Sequence, residues 1–477
     1  MTLPSRSLAV AVSLLLVAAA AAEVPKPPVP GGNKQAVFQM RSGNVRVKDD
    51  PKNREVIKVV AEWLAYSLCQ PPFNGEQPPP SVKLPVGQDN MTYLMDEAKY
   101  LCDIRSGTTA KPGQEQLEFA DEFGKAIAAA TGVVLKESAK PIERINAVRL
   151  MSVAARVPAP SLADSLVAVV NNPKGSDAEK LYAFQGLRNL LDQEDVNDPS
   201  RHIFGASAGN PKLGEIATAL TNYVMQKRTP RDDKEGAVIE FVRRDAVAAL
   251  AKFRDPSIRK ANRELIARPA WALARVIAQD PAVYPPFTIQ EQMEAATGFA
   301  QMKVDPDMSL DLSAYIMAGL LVNAARAANL DNERAVGTNT LPVIQWKLTA
   351  ARWSYALSVW RKNVESVPAG RNPGAVREVA GIGIAMLTDI EKTGAAAQTA
   401  GGVQQLITWG TNNPPKAWAE MKPATLFTDD PQTVLPFPAA PAPTADPKLK
   451  SGDPKAAPVP KKGPEPKKGA TPPKKGG

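Results

Sequence analysis

Between positions 236 and 279 the apolar residues keep helical time twice, with one Asp-Pro between the two runs. In the first run Val238, Phe241, Val242, Ala246, Ala249, Leu250 and Phe253 fall on one stripe, with Arg243, Arg244, Asp245 and Lys252 mostly outside it. Asp255-Pro256 then ends the helix, because proline disfavours α geometry in the residue before it and readily begins a new helix. The second run passes through Leu265, Ile266, Trp271, Leu273, Val276 and Ile277. Two antiparallel helices joined by so short a turn cannot bury both of their faces. A chain built this way needs neighbours of the same kind on either side.

Such neighbours are legible upstream. Arg144-x-x-Ala147, Lys180-x-x-Ala183 and Arg243-x-x-Ala246 align as basic-x-x-Ala with an apolar residue one turn later, and a small residue there lets helices approach closely. Ala147 and Ala183 are 36 residues apart, whereas Ala183 and Ala246 are 63 apart, which places an insertion at 192–210. The partner helices are expected at 161–170, 213–225 and 258–277. The wording V-R-R-D-A-V-A-A-L-A-K-F-R-D-P resembles the first helix and turn of a HEAT-like repeat, and the resemblance extends over about 142–279. It implies an all-α fold of stacked antiparallel helical hairpins, a HEAT-like α-solenoid or a more irregular helical array. As a family such arrays are scaffolds and binding surfaces, and some relatives belong to enzyme complexes.

On the N-terminal side helices are predicted at 53–69, 91–102 and 117–135, with a short strand or extended arm at 35–47. On the C-terminal side helices are predicted at 288–302, 310–328, 343–364, 375–391 and 403–409. No segment alternates apolar and polar residues long enough to make a sheet. The expected organisation is a signal peptide at 1–22, a linker or arm at 23–50 and an N-terminal helical subdomain at 51–138. HEAT-like pairs follow at 139–280, a helical region at 281–422, and a disordered Pro/Lys-rich tail at 423–477.

The first 22 residues read as a secretory leader: Arg6, an apolar run from Leu8, then Ala20-Ala21-Ala22 before charged, Pro-rich sequence. The protein is therefore expected to be exported, periplasmic or extracellular, with no other run apolar enough to span a membrane. The net charge of +9 is unevenly placed. From Pro431 onward nine lysines face Asp446, Asp453 and Glu465, so +6 sits in the tail and the rest of the chain is nearly balanced. That argues against a specific nucleic-acid reader, which shows a basic face on its folded part. The pairs Lys461-Lys462, Lys467-Lys468 and Lys474-Lys475 are candidates for a weak tether to an anionic envelope polymer or surface, or else simply keep the tail solvated.

Few residues carry chemistry. An exported chain with only Cys69 and Cys102 invites a disulfide closing a loop of 33 residues. Gly205-Ala206-Ser207-Ala208-Gly209 matches the G-x-S-x-G elbow of serine hydrolases, and His202 lies five residues before Ser207. His202 is the sole histidine, no sheet surrounds the motif, and a loop is the expected reading. One histidine and two cysteines leave no basis for a zinc site, and no haem, phosphate-loop or dinucleotide motif is present, so no metal or cofactor is expected. Asp305, Asp307, Asp429 and Asp430 lack calcium-loop spacing and read as turn and cap residues. Asn90-Met91-Thr92 is a formal glycosylation sequon. Trp346, Trp353 and Trp360 recur every seven residues on one helical stripe. They form either a core seam or an aromatic groove for a glycan, peptide or hydrophobic partner.

These readings point to an exported, non-catalytic scaffold or binding protein whose partner is a protein or an envelope polymer. The contrasting reading is an extracytoplasmic, polysaccharide-processing enzyme whose polar cleft is assembled from distant helices.

Overall fold

The structure, a computed structural model, describes residues 24–71, 73–74, 91–102, 104, 113–193, 204, 211–394 and 400–436. Among them the fold is all-α: sixteen helices and two minimal β-hairpins. The chain runs through α1 (Asn33–Arg41), α2 (Pro51–Ser67), α3 (Met91–Cys102), α4 (Gln114–Glu137), α5 (Pro141–Ala154), α6 (Leu162–Asn171), α7 (Asp177–Gln193), α8 (Pro211–Val224) and α9 (Asp233–Leu250). Then come β1 (Ile258–Arg259), β2 (Leu265–Ala267), α10 (Pro269–Ile277), α11 (Ile289–Ala300), α12 (Leu310–Thr338), α13 (Trp346–Asn363), α14 (Pro373–Thr393), α15 (Ala400–Asn412) and α16 (Lys416–Ala419). The chain closes with β3 (Ala424–Thr425) and β4 (Val434–Leu435).

Local chemistry sets the helix ends. Asp50 accepts from the Lys52 amide at 2.8 Å with Pro51 opening α2, and Asp232 accepts from the Glu235 amide at 2.8 Å at the start of α9. Thr288 and Glu291 cap each other's amides at α11. Gly394, at φ +76°, ends α14 in the left-handed conformation that glycine adopts without a Cβ penalty.

Packing arranges the middle of the chain in two rows. Helices α5, α7, α9, α11 and α13 follow one another as direct neighbours in one row, and α4, α6, α8, α10 and α12 do so in the other. The strong hairpins are α4–α5, α6–α7, α8–α9 and α10–α11. The expected pairing of α5 with α6, α7 with α8 and α9 with α10 is thus out of frame by one helix, because the helices carrying the basic-x-x-Ala pattern come second in each hairpin. The small residues do what the pattern implied: Ala147, Ala183 and Ala246 are completely buried. At Gly298 the approach is closer still, since a Cβ there would lie 2.4 Å from both Cα and Cβ of Ala251. One apolar cluster extends from Val24 to Leu435.

Three further expectations are corrected. The arm at 35–47 is largely helix α1, where Val37, Met40 and Arg41 are buried at helical rather than alternating spacing. The helix expected over 258–277 forms only from Pro269. Before it, Asn262 takes the Glu264 amide on its side chain at 3.1 Å and Arg263 adopts φ 68°, turning the chain into the β1–β2 hairpin. The start of the expected tail is structured: β3 pairs with β4, and Leu426, Phe427 and Leu435 are completely buried. Positions 1–23 and 437–477, which include the leader and the paired lysines, lie outside the described residues, as do His202, the G-x-S-x-G motif and Asn90.

Candidate interaction face

The α5–α13 row is laced by side-chain pairs that begin in its interior. Arg144 on α5 donates to both oxygens of Glu179 on α7, at 2.9 and 3.3 Å. Two helices further on, Arg243 on α9 donates to both oxygens of Glu291 on α11, at 2.6 and 2.9 Å. Arg243 also donates to the Pro285 and Pro286 carbonyls at 2.6 and 2.9 Å and lies over the Phe287 ring, while Glu291 accepts the Thr288 amide at 2.7 Å. Both side chains of this pair are essentially inaccessible, and bidentate geometry with each guanidinium nitrogen donating at least once is what makes such a pair tolerable in a core.

In both rungs an arginine three residues before a buried alanine meets a glutamate four residues before the alanine of the next helix. The same rule puts Lys180 on α7 against position 242 on α9, and that position is Val242. Lys180 has no ion pair among the described residues, and its ammonium lies 5.8 Å over the Tyr223 ring. Burial lowers its pKa, against the pull of Asp177.

The outer side of the row repeats the theme at the surface. Arg149 lies over Tyr182, Arg188 meets Asp245 at 3.2 Å, Arg244 donates to Gln290 at 2.9 Å, and Arg352 meets Glu294 at 3.5 Å. Burial holds the Asp245 carboxyl above its ordinary value, outweighing Arg188. Periodicity explains the alignment: Gln290, Glu294 and Thr297 share one face of α11, continued by Gln301 at its C-cap, and Leu348, Arg352 and Tyr355 share one face of α13. A cavity of about 140 Å³ opens there, its lining including Lys252, Arg254, Glu294, Thr297, Arg352 and Tyr355. Tyr355 on its wall is 67% exposed, Leu348 one turn before Arg352 on α13 is 58% exposed, and Phe241, further back along α9, is 49% exposed. Lys252 reaches Asp192 at 2.6 Å.

A larger concavity, about 290 Å³, lies between α2 and α4. Several of its rim charges are paired: Arg54 with Glu122 at 3.2 Å, Lys125 with Asp121 and Glu122 at 2.8 Å each, and Lys58 with Glu55 at 3.4 Å.

The residues singled out from sequence are placed elsewhere. Trp346, Trp353 and Trp360 are 4, 1 and 1% exposed, so they form a core seam along α13 and not an open binding surface. Trp346 donates its indole N–H to Asp331 at 3.0 Å. Cys69 and Cys102 are both buried and do not lie at disulfide distance from each other, so the structure does not bear out the expected disulfide. Cys69 lies just beyond the end of α2, which packs on α4 and α1, and Cys102 ends α3, which packs on α5 and α1. The Cys69 thiol donates to the Ala65 carbonyl at 3.5 Å, and burial, assisted by Glu143, pushes it up to about 12.

The acidic doublets are brought together. Asp429 accepts from Arg268 at 2.5 Å and Arg259 at 2.7 Å, and Asp307 lies 3.9 Å from Arg259. Asp305 and Asp430 also accept the Asp307 and Gln432 amides, the turn roles their spacing implied. Among the described residues no group of three or more His, Cys, Asp or Glu could hold a metal, and no helix is long and apolar enough to cross a membrane.

The face itself was missed at the sequence level. The available signal was Glu291-Gln292-Met293-Glu294-Ala295, which repeats the frame of Glu143-Arg144-Ile145-Asn146-Ala147 with glutamine in the basic position. No family model, curated protein or solved structure matches the chain.

Proposed function

We propose that the protein is an exported, non-catalytic scaffold of HEAT-like helical pairs, and that its working surface is the outer side of α7, α9, α11 and α13. The observation that carries this reading is the run of Arg188, Arg244 and Arg352 between successive helices, with Phe241, Leu348 and Tyr355 exposed among them. Arginine and aromatic side chains on a rigid helical face are the residue types that anchor protein interfaces. A polysaccharide-processing enzyme would instead need free carboxylates converging in a cleft. The acidic side chains that do converge, Asp307 and Asp429, are engaged by Arg259 and Arg268. The tail lysines Lys461, Lys462, Lys467, Lys468, Lys474 and Lys475 would add a salt-sensitive tether to an anionic envelope surface.

The test is site-specific photocrosslinking in the native host. A photoreactive residue at Phe241 or Tyr355 should give one discrete cross-linked species, whereas the same residue at Glu391, an exposed position near the end of α14, should not. Equal yields at all three positions, or none at any, would reject the surface.

A further inference from the structure

Resting on that reading, we infer that the partner presents an acidic, extended protein segment, and that one of its carboxylate side chains enters the cavity between Lys252, Arg254 and Arg352. Size argues for a side chain. At about 140 Å³ the cavity is smaller than the ~300–1,000 Å³ of small-molecule sites, and it suits a single anchor on a broader interface. Charge argues for an anion, since Lys252, Arg254 and Arg352 line the cavity against Glu294 in the lining and Asp192, which pairs with Lys252 from outside it, an excess of one cation. The Arg352–Glu294 contact is long at 3.5 Å, and the Arg352 side chain is 58% exposed, so its guanidinium can also take a carboxylate side-on. The neighbours argue for protein: Tyr355 on the cavity wall and Leu348 one turn before Arg352 offer apolar contact beside the cationic point, as an interface core does, and Phe241 adds exposed apolar surface further back along α9. A phosphate backbone or sulfated glycan would call for an unbroken cationic stripe. Here Asp192, Asp245 and Glu294 interrupt it.

The probe is a fluorescein-labelled twelve-residue peptide of repeated Glu-Phe-Gly, with repeated Lys-Phe-Gly as control, measured by anisotropy. The protein is the full chain with all six paired tail lysines changed to Gln, which removes the competing polycation. The Glu peptide should bind and the Lys peptide should not. Arg352→Glu with Lys252→Gln should weaken binding at least tenfold, and Arg352→Gln less, with unchanged thermal unfolding. Tyr355→Ala should weaken it a few-fold. Binding of the Glu peptide only when the tail lysines are present, or binding indifferent to Arg352 and Lys252, overturns the inference. So does displacement by a heparin oligosaccharide or duplex DNA that binds these residues more tightly than the peptide. Persistence of the Phe241 and Tyr355 cross-links in the Arg352→Glu, Lys252→Gln protein would leave the surface standing and remove only the acidic segment. Loss of peptide binding with no cross-links in any variant would remove both.

Discussion

Arg243 gathers a carboxylate, two backbone carbonyls and an aromatic face in one inaccessible place, so its neighbours are held by a charge with no route to water. Removing one member strands the other. Glu291→Ala should cost about 3–5 kcal/mol, and adding Arg243→Leu should recover much of that loss, because the uncompensated charge and not the missing contact is the main penalty. Denaturant midpoints of the single and double variants measure this; a double variant no better than the single would reject it. Cys69 makes a different statement at the same scale. Its thiol is held from an ordinary value of 9.0 up to about 12, chiefly by burial. At pH 8 it should resist alkylation in the native protein, and both cysteines should alkylate fully once the chain is denatured without reductant. The sign of its effect on stability follows. Above pH 9 the unfolded chain releases this proton while the folded chain keeps it, so stability falls as pH rises toward 12. Cys69→Ala should make that decline shallower. An identical alkaline profile would show that the thiol contributes nothing to it.

At the scale of the helices, the rungs are a register rule with one gap. Arg144–Glu179 and Arg243–Glu291 fix α5 to α7 and α9 to α11, and the same spacing assigns Val242 as the position opposite Lys180 between them. Val242 is 2% exposed and Val247 is completely buried, so a glutamate at either would ordinarily be severely destabilising. If the register is right, Val242→Glu meets the Lys180 ammonium and should cost at least 2 kcal/mol less than Val247→Glu. Combining it with Lys180→Ala should bring the full penalty back. Additive behaviour of Val242→Glu and Lys180→Ala would mean the two positions do not face each other. The tryptophan seam belongs to this scale too. Heptad spacing keeps Trp353 and Trp360 on the buried side of α13, and Trp353→Ala should cost about 3–5 kcal/mol, with the indole emission of the parent blue-shifted and poorly quenched. Free quenching by iodide would contradict the seam.

Over the whole molecule, the chain fastens its end to its middle. The β3–β4 hairpin buries Leu426, Phe427 and Leu435, and the Ser309 amide donates to the Leu426 carbonyl at 2.8 Å, tying the start of α12 to it. Arg268, stacked 4.0 Å over Phe427, and Arg259 then grip Asp429 from the β1–β2 side. A chain ending at Asp430 loses β4 and should unfold at least 3 kcal/mol earlier than one ending at Pro438, since a fully buried leucine and the strand pairing go together. Coincident unfolding curves for the two truncations would assign the hairpin no part in the fold.

What the sequence determined by itself was everything that depends on near neighbours in the chain. Helical period, Asp-Pro and Gly stops, the buried alanines at 147, 183 and 246, and the seven-residue tryptophan repeat all follow from local geometry that each segment carries with it. Tertiary structure decided which helix meets which. The hairpin frame, the Arg243–Glu291 pair across 48 positions and the Arg259–Asp429 pair across 170 depend on how faces are shared among segments, and amphipathic periodicity names a buried face without naming its partner. The same gap explains the two cysteines. Their sequence separation permitted a disulfide, and both helices even pack against α1, but a covalent bond needs the two sulfurs side by side, which sequence separation does not specify and the packing does not provide.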